Sequence, residues 1–397
     1  MKKKLTIHDI AKLAGVSQAT VSRVLNHKPT VDPDICEHVM KVVNEHGFVP
    51  SIAATILRGG RTQLIGVLAP PLTAPFVPEI MLGVAEVTDR TEYEVVLYMM
   101  SPTRKHSDVL DRILAMKLSM GMLAIMPGKL GPHLDYLSQQ GMPIVTIEDQ
   151  VAPINTPWIG IDNVDGAYEA TRYLLSLGHR RIAHILGPEG YLCTAERYEG
   201  YSRALRGAGL EVDPGLVWQG DFTVPGGRAC AEQIFSRPSQ ERPEALFAAN
   251  DQTAFGVMDA APQYGVRIPD DLTLIGFDDM PITAFTKPGL TTVRQPHREM
   301  GALACELLLS KIDPRKHPFI PKNREYTIYQ NSFQVRLSEE NSKQAVFGSN
   351  LEKQTRGSET FLGPQEGDGK SLRILLPTKL IVRESCRIAQ PVSRQVQ

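Results

Sequence analysis

Near the N-terminus, apolar positions fall at helical spacing three times in succession. Ile7, Ile10, Ala11 and Ala14 follow Thr6-Ile-His-Asp9, which has the form of a capping box. After the short link Gly15-Val16-Ser17, a second helix winds from Gln18 with Ser17 as its N-cap. At about 100° per residue it puts Gln18, Ala19, Ser22, Arg23 and Asn26 on one arc and Val21, Val24 and Leu25 on the other. A third helix is expected to start at Asp32-Pro33, bury Ile35, Val39 and Val42, and stop at Gly47. So short a link sets the first two helices across each other, the helix-turn-helix arrangement in which the second helix enters a major groove. A guanidinium, amides and a small residue on the polar arc suit the reading of base edges. An isolated amphipathic surface helix would show the same arc, and the two flanking helices decide for DNA.

The pattern changes at Leu64. Leu64–Ala69 reads as a short buried strand, followed by a helix over 77–90 and a strand over 94–98. The alternation continues with helix 107–117, strand 121–126, helix 130–140 and strand 143–147. A second series opens near Val164, with a helix to Leu177, strand 181–186, helix 196–207, strand 245–248, helix 251–264 and strand 272–276. Short apolar strands alternating with amphipathic helices call for parallel sheets covered on both faces. Two such series make two Rossmann-like lobes, with ligand space between them beyond the strand ends. Pro50–Thr62, between headpiece and lobes, has helix-compatible spacing but is short enough to be marginal alone in water.

Composition narrows this picture. The 397 residues, 42% hydrophobic and 22% charged, suit a soluble chain of two or three domains. Net charge is only −1, yet residues 1–62 carry nine Lys/Arg against five Asp/Glu, a basic head on a mildly acidic body. Five dispersed cysteines without a C-x-x-C pair fit a reducing cytoplasm and neither a zinc site nor a disulfide framework. The basic Met1–Lys4 is followed by no apolar signal region, and a cytoplasmic location is expected. No P-loop, G-x-G-x-x-G, G-x-S-x-G or H-E-x-x-H occurs, and no cofactor or metal is expected. His179 and His184 flank a strand as structural histidines do. Asp278-Asp279 follows a strand, but no second carboxylate can be named for glycosidase-like chemistry.

Thr6-Ile-His-Asp-Ile-Ala-Lys-Leu-Ala-Gly-Val-Ser-Gln-Ala-Thr-Val-Ser-Arg-Val-Leu-Asn26 closely resembles the headpiece of the lactose-repressor (LacI) family of bacterial transcription regulators. Further stretches resemble the family's periplasmic-binding-protein-like sensor: Ile161-Asp-Asn163, Leu177–Ile182, Gly276–Asp279, Leu290–Pro296 and Leu376–Ser385. The expected organisation is α/β: a three-helix headpiece over 1–49, a hinge helix over 50–62 and a two-lobed sensor over 63–390. Lobe 1 takes about 63–163 plus 294–321, and lobe 2 about 164–293 plus 371–390. Residues 323–370 fit no family element. Rich in polar residues, they are expected to be disordered, although Glu325–Leu337 alternates enough to pair as a hairpin.

The resemblance implies a homodimeric repressor on double-stranded operator DNA. Gln18, Ala19 and Arg23 would read bases, while Thr6, Ser17, Thr20, Ser22 and Asn26 would position the headpiece on phosphates. Leu57 would wedge between base pairs in the minor groove, with Ser51 and Thr55 standing where the family carries Asn and Arg. An effector, a sugar or sugar derivative, would lie between the lobes against Phe76, Asp162, Arg197, Phe222, Asn250 and Asp278. The family's second aromatic after Phe76 is Val77 here. Arg197 in a surface salt bridge and Phe222 as a core aromatic are the competing readings of those two residues. A solute-binding protein is excluded by the headpiece and the missing signal. An enzyme carrying a DNA-binding head is disfavoured by the missing catalytic set.

Overall fold

The computed structural model describes residues 5–25, 30–48, 62–100, 113, 118–148, 155–319, 326–330, 333–337 and 372–389. They fall into two compact units divided after Gln63. The expected hinge and Leu57, Asn26, and most of the expected helix 107–117 lie outside the described residues.

In the first unit, α1 (Ile7–Leu13), α2 (Gln18–Leu25) and α3 (Pro33–Glu45) close on one small core. The Thr6–Asp9 capping box forms in both directions: the Thr6 hydroxyl accepts from Asp9 N, and Asp9 Oδ2 accepts from Thr6 N at 2.8 Å. Gly15, at φ +64°, turns the chain where a Cβ would be strained. Ile10, Ala11, Ala14, Val21, Val24, Val39, Val42 and Val43 are buried, and Leu25 packs at their edge. Ile35 departs from expectation at 39% exposed. Ile35 shares the face of Val39 and Val42 but lies in the first turn of α3, where Cys36 is the residue that packs against the core.

The second unit holds two sheets. In the first, β1 (Leu64–Ala69), β2 (Glu94–Met99), β3 (Met122–Ile125), β4 (Ile144–Ile147) and β5 (Trp158–Ile161) run parallel in the order β2-β1-β3-β4-β5. The second contains β6 (Ile182–Leu186), β7 (Val217–Gln219), β8 (Ala245–Ala248), β9 (Thr273–Asp278) and β10 (Thr291–Arg294), in the order β10-β9-β8-β6-β7 and again parallel. Helices α4 (Val77–Thr88), α5 (Gly131–Gln139), α6 (Asn163–Ser176), α7 (Leu192–Gly207), α8 (Val224–Phe235), α9 (Asp251–Ala260) and α10 (His297–Ile312) accompany them. Periodicity had not marked β5, β7, α8 or β10. β7 is only three residues long, and four-residue runs are too short to separate strand from loop. Lobe 1 recruits α10 after the chain returns from lobe 2. It packs on α4 through two glycines: a Cβ on Gly83 would stand 1.9 Å from the Arg298 carbonyl oxygen, and one on Gly301 2.1 Å from that of Ile80.

The C-terminal region corrects two expectations. Within 323–370, the described residues β11 (Tyr326–Gln330) and β12 (Phe333–Leu337) pair antiparallel as the alternation over Glu325–Leu337 allowed, against the expectation of disorder there. The rest of that stretch lies outside the described residues. Tyr326 and Ile328, two apart on one face, are buried, which gives the hairpin the apolar anchor it needs. β13 (Arg373–Leu376) pairs parallel with β5 and antiparallel with β11. Residues 373–376 therefore belong to lobe 1, and only from β14 (Lys379–Ile381), antiparallel to β10, does the tail join lobe 2. The chain thus passes between lobes after β5, after β10 and after β13.

His184 is a core residue. Its ring lies between Tyr201 and Phe247, with centroids 5.0 and 4.7 Å away, and its Nδ1 hydrogen-bonds with the Phe247 carbonyl at 2.8 Å. Burial holds the imidazole neutral, its pKa down to about 4. No helix among the described residues is long and apolar enough to cross a membrane.

Candidate functional site

On the headpiece, Ser17, Gln18, Ala19 and Arg23 are exposed, with Thr20 and Ser22 half-buried beside them. The α2 arc therefore presents as the periodicity implied. Ser17 is tied to Thr20 twice, Oγ to Oγ1 at 2.9 Å and as acceptor from Thr20 N at 3.1 Å, which closes the N-terminus of α2. Gln18 Nε2 hydrogen-bonds with His8 Nδ1 at 2.6 Å, linking α1 to the reading helix. Thr6 is exposed and already fixed by Asp9, so its hydroxyl sits on a preorganised turn.

In the second unit a cavity of about 390 Å³ opens between the lobes at the C-terminal ends of both parallel sheets. Five of the six expected effector residues line it: Phe76, Arg197, Phe222, Asn250 and Asp278. Asp162 does not. It is the N-cap of α6, where its carboxylate accepts from Asp165 N at 2.8 Å. Glu148, Tyr191, Asp221, Gln295 and His297 also line the cavity and were missed. Glu148 stands one residue past β4 and Asp221 two past β7, so the rule that ligands meet strand ends would have found both.

Backbone strain gathers here. Among the described residues five non-glycine positions have positive φ: Met126 at 44°, Glu148 at 47°, Phe222 at 66°, Asp278 at 120° and Asp279 at 54°. The first four line the cavity, and Asp279 follows Asp278 in the chain. Each such residue costs on the order of 1–3 kcal/mol, so their coincidence at one site marks geometry kept for function.

Arg197 projects from the first turns of α7 and is buried at 6% exposure. Its Nε donates to Asn163 Oδ1 at 2.9 Å and its Nη1 to the Ala249 carbonyl at 2.7 Å, with the guanidinium carbon 3.7 Å from the centroid of Phe277. The salt-bridge reading of Arg197 does not hold. These bonds fix its plane while donors on the same fork remain for a ligand. Asn163 also donates to Glu196 Oε2 at 3.0 Å, and burial pushes that carboxyl up to about 7.

Asp278 Oδ1 accepts from Gln295 Nε2 at 2.6 Å. Burial raises Asp278 to about 6, against the opposite pull of Arg197 and the Gln295 amide. Behind it, fully buried Asp251 accepts from Thr292 Oγ1 at 2.5 Å and Met280 N at 2.8 Å. Burial, reinforced by the Asp278 charge, holds Asp251 well above the usual carboxylate range. Asp279 is the contrast: burial alone would raise it, but Arg383 at 2.7 Å and Arg294 at 2.6 Å hold it low. Asn250 caps α9, accepting from Thr253 N at 2.9 Å, and donates to the Phe222 carbonyl at 3.1 Å. The Phe222 ring meets Tyr191 edge-on at 5.9 Å, and Phe76 faces His297 at 6.0 Å. Burial keeps His297 neutral, at about 4, and raises the Cys193 thiol to about 11. Among the described residues no group of His, Cys, Asp and Glu is arranged to hold a metal ion.

Residues 6–51 match the family model "Bacterial regulatory proteins, lacI family", and residues 171–329 match "Periplasmic binding protein-like domain". The transcriptional regulator DegA of Bacillus subtilis is 34% identical over 302 residues, covering 75% of this chain and 89% of that protein. The repressor CytR of Escherichia coli is 33% identical over 310 residues, covering 77% and 89%. A solved complex of the transcriptional regulator CelR with cellobiose superposes with a TM-score of 0.62 at 28% identity, covering 96% of this chain and all of that one. A three-helix DNA-reading head and a two-lobed sensor on one chain, with relatives this similar over this length, place it: the chain belongs to the LacI family of bacterial transcriptional regulators.

Proposed function

We propose that this regulator is a cytoplasmic homodimeric repressor, without enzymatic activity, whose operator affinity is set by an uncharged sugar held between the lobes. The observation that carries this reading is the cavity itself. An aromatic pair, Phe76 and Phe222, offers flat apolar faces, while Arg197, Asp278, Gln295 and Gln252 supply hydroxyl-matching donors and acceptors around them. Its polar groups are already bound and oriented, as a ligand site needs. The chemistry favours binding over turnover, since the lining thiol and imidazole are both held neutral and neither pairs with a base. CelR, which binds cellobiose, supports the sugar class. Two headpieces suit the two halves of a palindromic operator, which is the case for a dimer. Gln18, Ala19 and Arg23 would read bases, Thr6, Ser17, Thr20, Ser22 and Asn26 would contact phosphates, and Leu57 would enter the minor groove as the hinge orders on DNA.

Closure of the lobes on the ligand would change the relation of the two subunits and so bias the hinge. A thermal-shift screen of pentoses, hexoses, disaccharides, nucleosides and nucleobases tests the class. A binding sugar at a hundredfold excess over its Kd adds about 2.7 kcal/mol to stability, and the same sugar should change operator affinity in a fluorescence-anisotropy titration. Stabilisation by nucleobases alone would overturn the sugar reading, and a sugar that binds without altering operator affinity would overturn the coupling.

A further inference from the structure

We infer that Gly187 is a positioning residue of the cavity: its missing side chain seats the Phe222 ring and thereby sets the width left for a ligand. This rests on the cavity being the effector site. Gly187 directly follows β6, and Phe222 follows the neighbouring β7. A Cβ on Gly187 would meet Phe222 Cζ at 2.1 Å, Phe222 Cε1 at 2.3 Å and Thr194 Oγ1 at 2.6 Å. Real Cβ atoms never come so close to carbon. The ring therefore lies back against the bare backbone of residue 187, out of the space between the lobes.

The ring has little freedom to yield by moving its own backbone. Phe222 stands at φ +66°, its carbonyl accepts from Asn250, and the turn before it is closed by Asp221 Oδ1 accepting from Thr223 N at 3.0 Å and Thr223 Oγ1 at 2.7 Å. Gly187 is equally fixed, since Gln219 donates to its carbonyl and Gly220 N donates to the adjacent Leu186 carbonyl at 3.1 Å. Tyr191 flanks the ring edge-on, and the Arg197 guanidinium lies 5.9 Å from its centroid. Behind it the Thr194 hydroxyl is buried and, among the described residues, has no hydrogen-bond partner. A methyl at 187 leaves the ring one escape, rotation about its side-chain bonds into the cavity. Gly187 has no positive φ, so alanine meets no left-handed backbone there, and its effect reports contact with the ring and with the Thr194 hydroxyl, which the Phe222 variant separates.

The test is a double-mutant cycle on the full-length protein: Gly187→Ala, Phe222→Ala and the pair. Melting temperatures are measured without ligand, and affinities are measured by calorimetry for D-ribose, D-glucose and cellobiose. The expected result is that Gly187→Ala lowers the melting temperature and weakens the bound sugars by roughly tenfold or more, the larger sugar losing most. In the Phe222→Ala background the same change should cost far less in both measurements, with only the contact to the Thr194 hydroxyl left to relieve. If Gly187→Ala alone fails to fold, recovery of folding in the pair supports the seat and its absence overturns it. Equal losses with and without Phe222 overturn it as well. Coupling in melting without coupling in affinity would refute the control of width. Should none of the three sugars bind the wild type, the sugar reading fails, while the melting cycle still decides whether Gly187 seats the ring.

Discussion

The described side chains expected to face DNA stand on α2, its N-terminal cap and the cap of α1, and among the described residues the headpiece contains no non-glycine residue with positive φ. The cavity is built the other way. Four of its lining residues carry positive φ, and its Asp278 is raised by burial against the pull of its partners. A reading surface needs exposed groups at helical spacing, which local rules supply cheaply. A ligand cavity needs buried groups from distant strand ends aimed at one point, and it accepts strain and desolvation to obtain them. Backbone strain is thus absent from the described headpiece and gathered where the cavity is built.

The sharpest way to break this comparison is Arg197→Ala. The change strands Asn163 Oδ1 and the Ala249 carbonyl and leaves Asp278 without its cationic neighbour. Leaving two buried acceptors without their donor costs about 1–3 kcal/mol each in stability, and the loss of guanidinium donors to the ligand should appear separately as weaker calorimetric affinity for the effector. Arg197→Lys should not rescue it, because one ammonium cannot make two bonds in a fixed plane. Undiminished affinity in both variants would place the ligand elsewhere.

How far each region was legible follows from the same physics. Helical periodicity, a capping box and a short link located α1 and α2 because all their determinants lie within a few residues of one another. The alternation from Leu64 onward likewise gave most of the parallel strands. Ile35 failed because helical spacing gives the buried face of α3 but not how far toward its first turn the core reaches. Phe76, Arg197, Phe222, Asn250 and Asp278 came from family resemblance, since nothing local brings residues 76 and 278 together. Gln295 and His297 escaped because they sit on the second crossover, visible only once β10 and α10 are assigned to different lobes. Asp162 resembled a ligand residue, but a helix start claimed its carboxylate. The pairing of β11 with β12 was legible as alternation over Glu325–Leu337, but its polar surroundings outweighed that signal, and β13 is the strand that gives it a sheet to join.

Arg23→Ala sharpens the other side of the comparison. Arg23 is exposed on α2, so its loss should leave the melting temperature of the protein unchanged. It should remove about 1–3 kcal/mol of discrimination between the operator and a variant site in competition titrations. Unaltered sequence preference would move the reading function off this arc. A stability loss would show that the headpiece surface is not as independent of folding as its ordinary backbone implies.

The smallest effect, and the one that tests whether the cavity gives up stability for binding, belongs to Asp278→Asn. Burial raises the folded-state pKa of Asp278 to about 6, above the ordinary aspartate value of 3.8. A carboxyl shifted in that direction contributes stability below its unfolded pKa and loses it as pH rises through the folded one. The wild type should therefore lose roughly 1–2 kcal/mol from this residue between about pH 4 and 6, after discounting for the solvent that reaches the cavity. His184 and His297, both lowered to about 4, act oppositely, since their stability is present above the unfolded histidine pKa and lost as pH falls. The total profile mixes these opposing contributions, and the difference between wild type and variant isolates the aspartate. Asparagine keeps an acceptor for Gln295 and carries no charge, which also relieves the repulsion that helps raise Asp251. Urea unfolding followed through Trp158 and Trp218, both in the second unit, reads that unit alone. The variant should be more stable than wild type at pH 7.5, equal to it near pH 4, and weaker in effector binding. Equal stability at both pH values would mean that Asp278 is solvated well enough to ionise freely, and the contrast between a relaxed headpiece and a strained cavity would lose its electrostatic half.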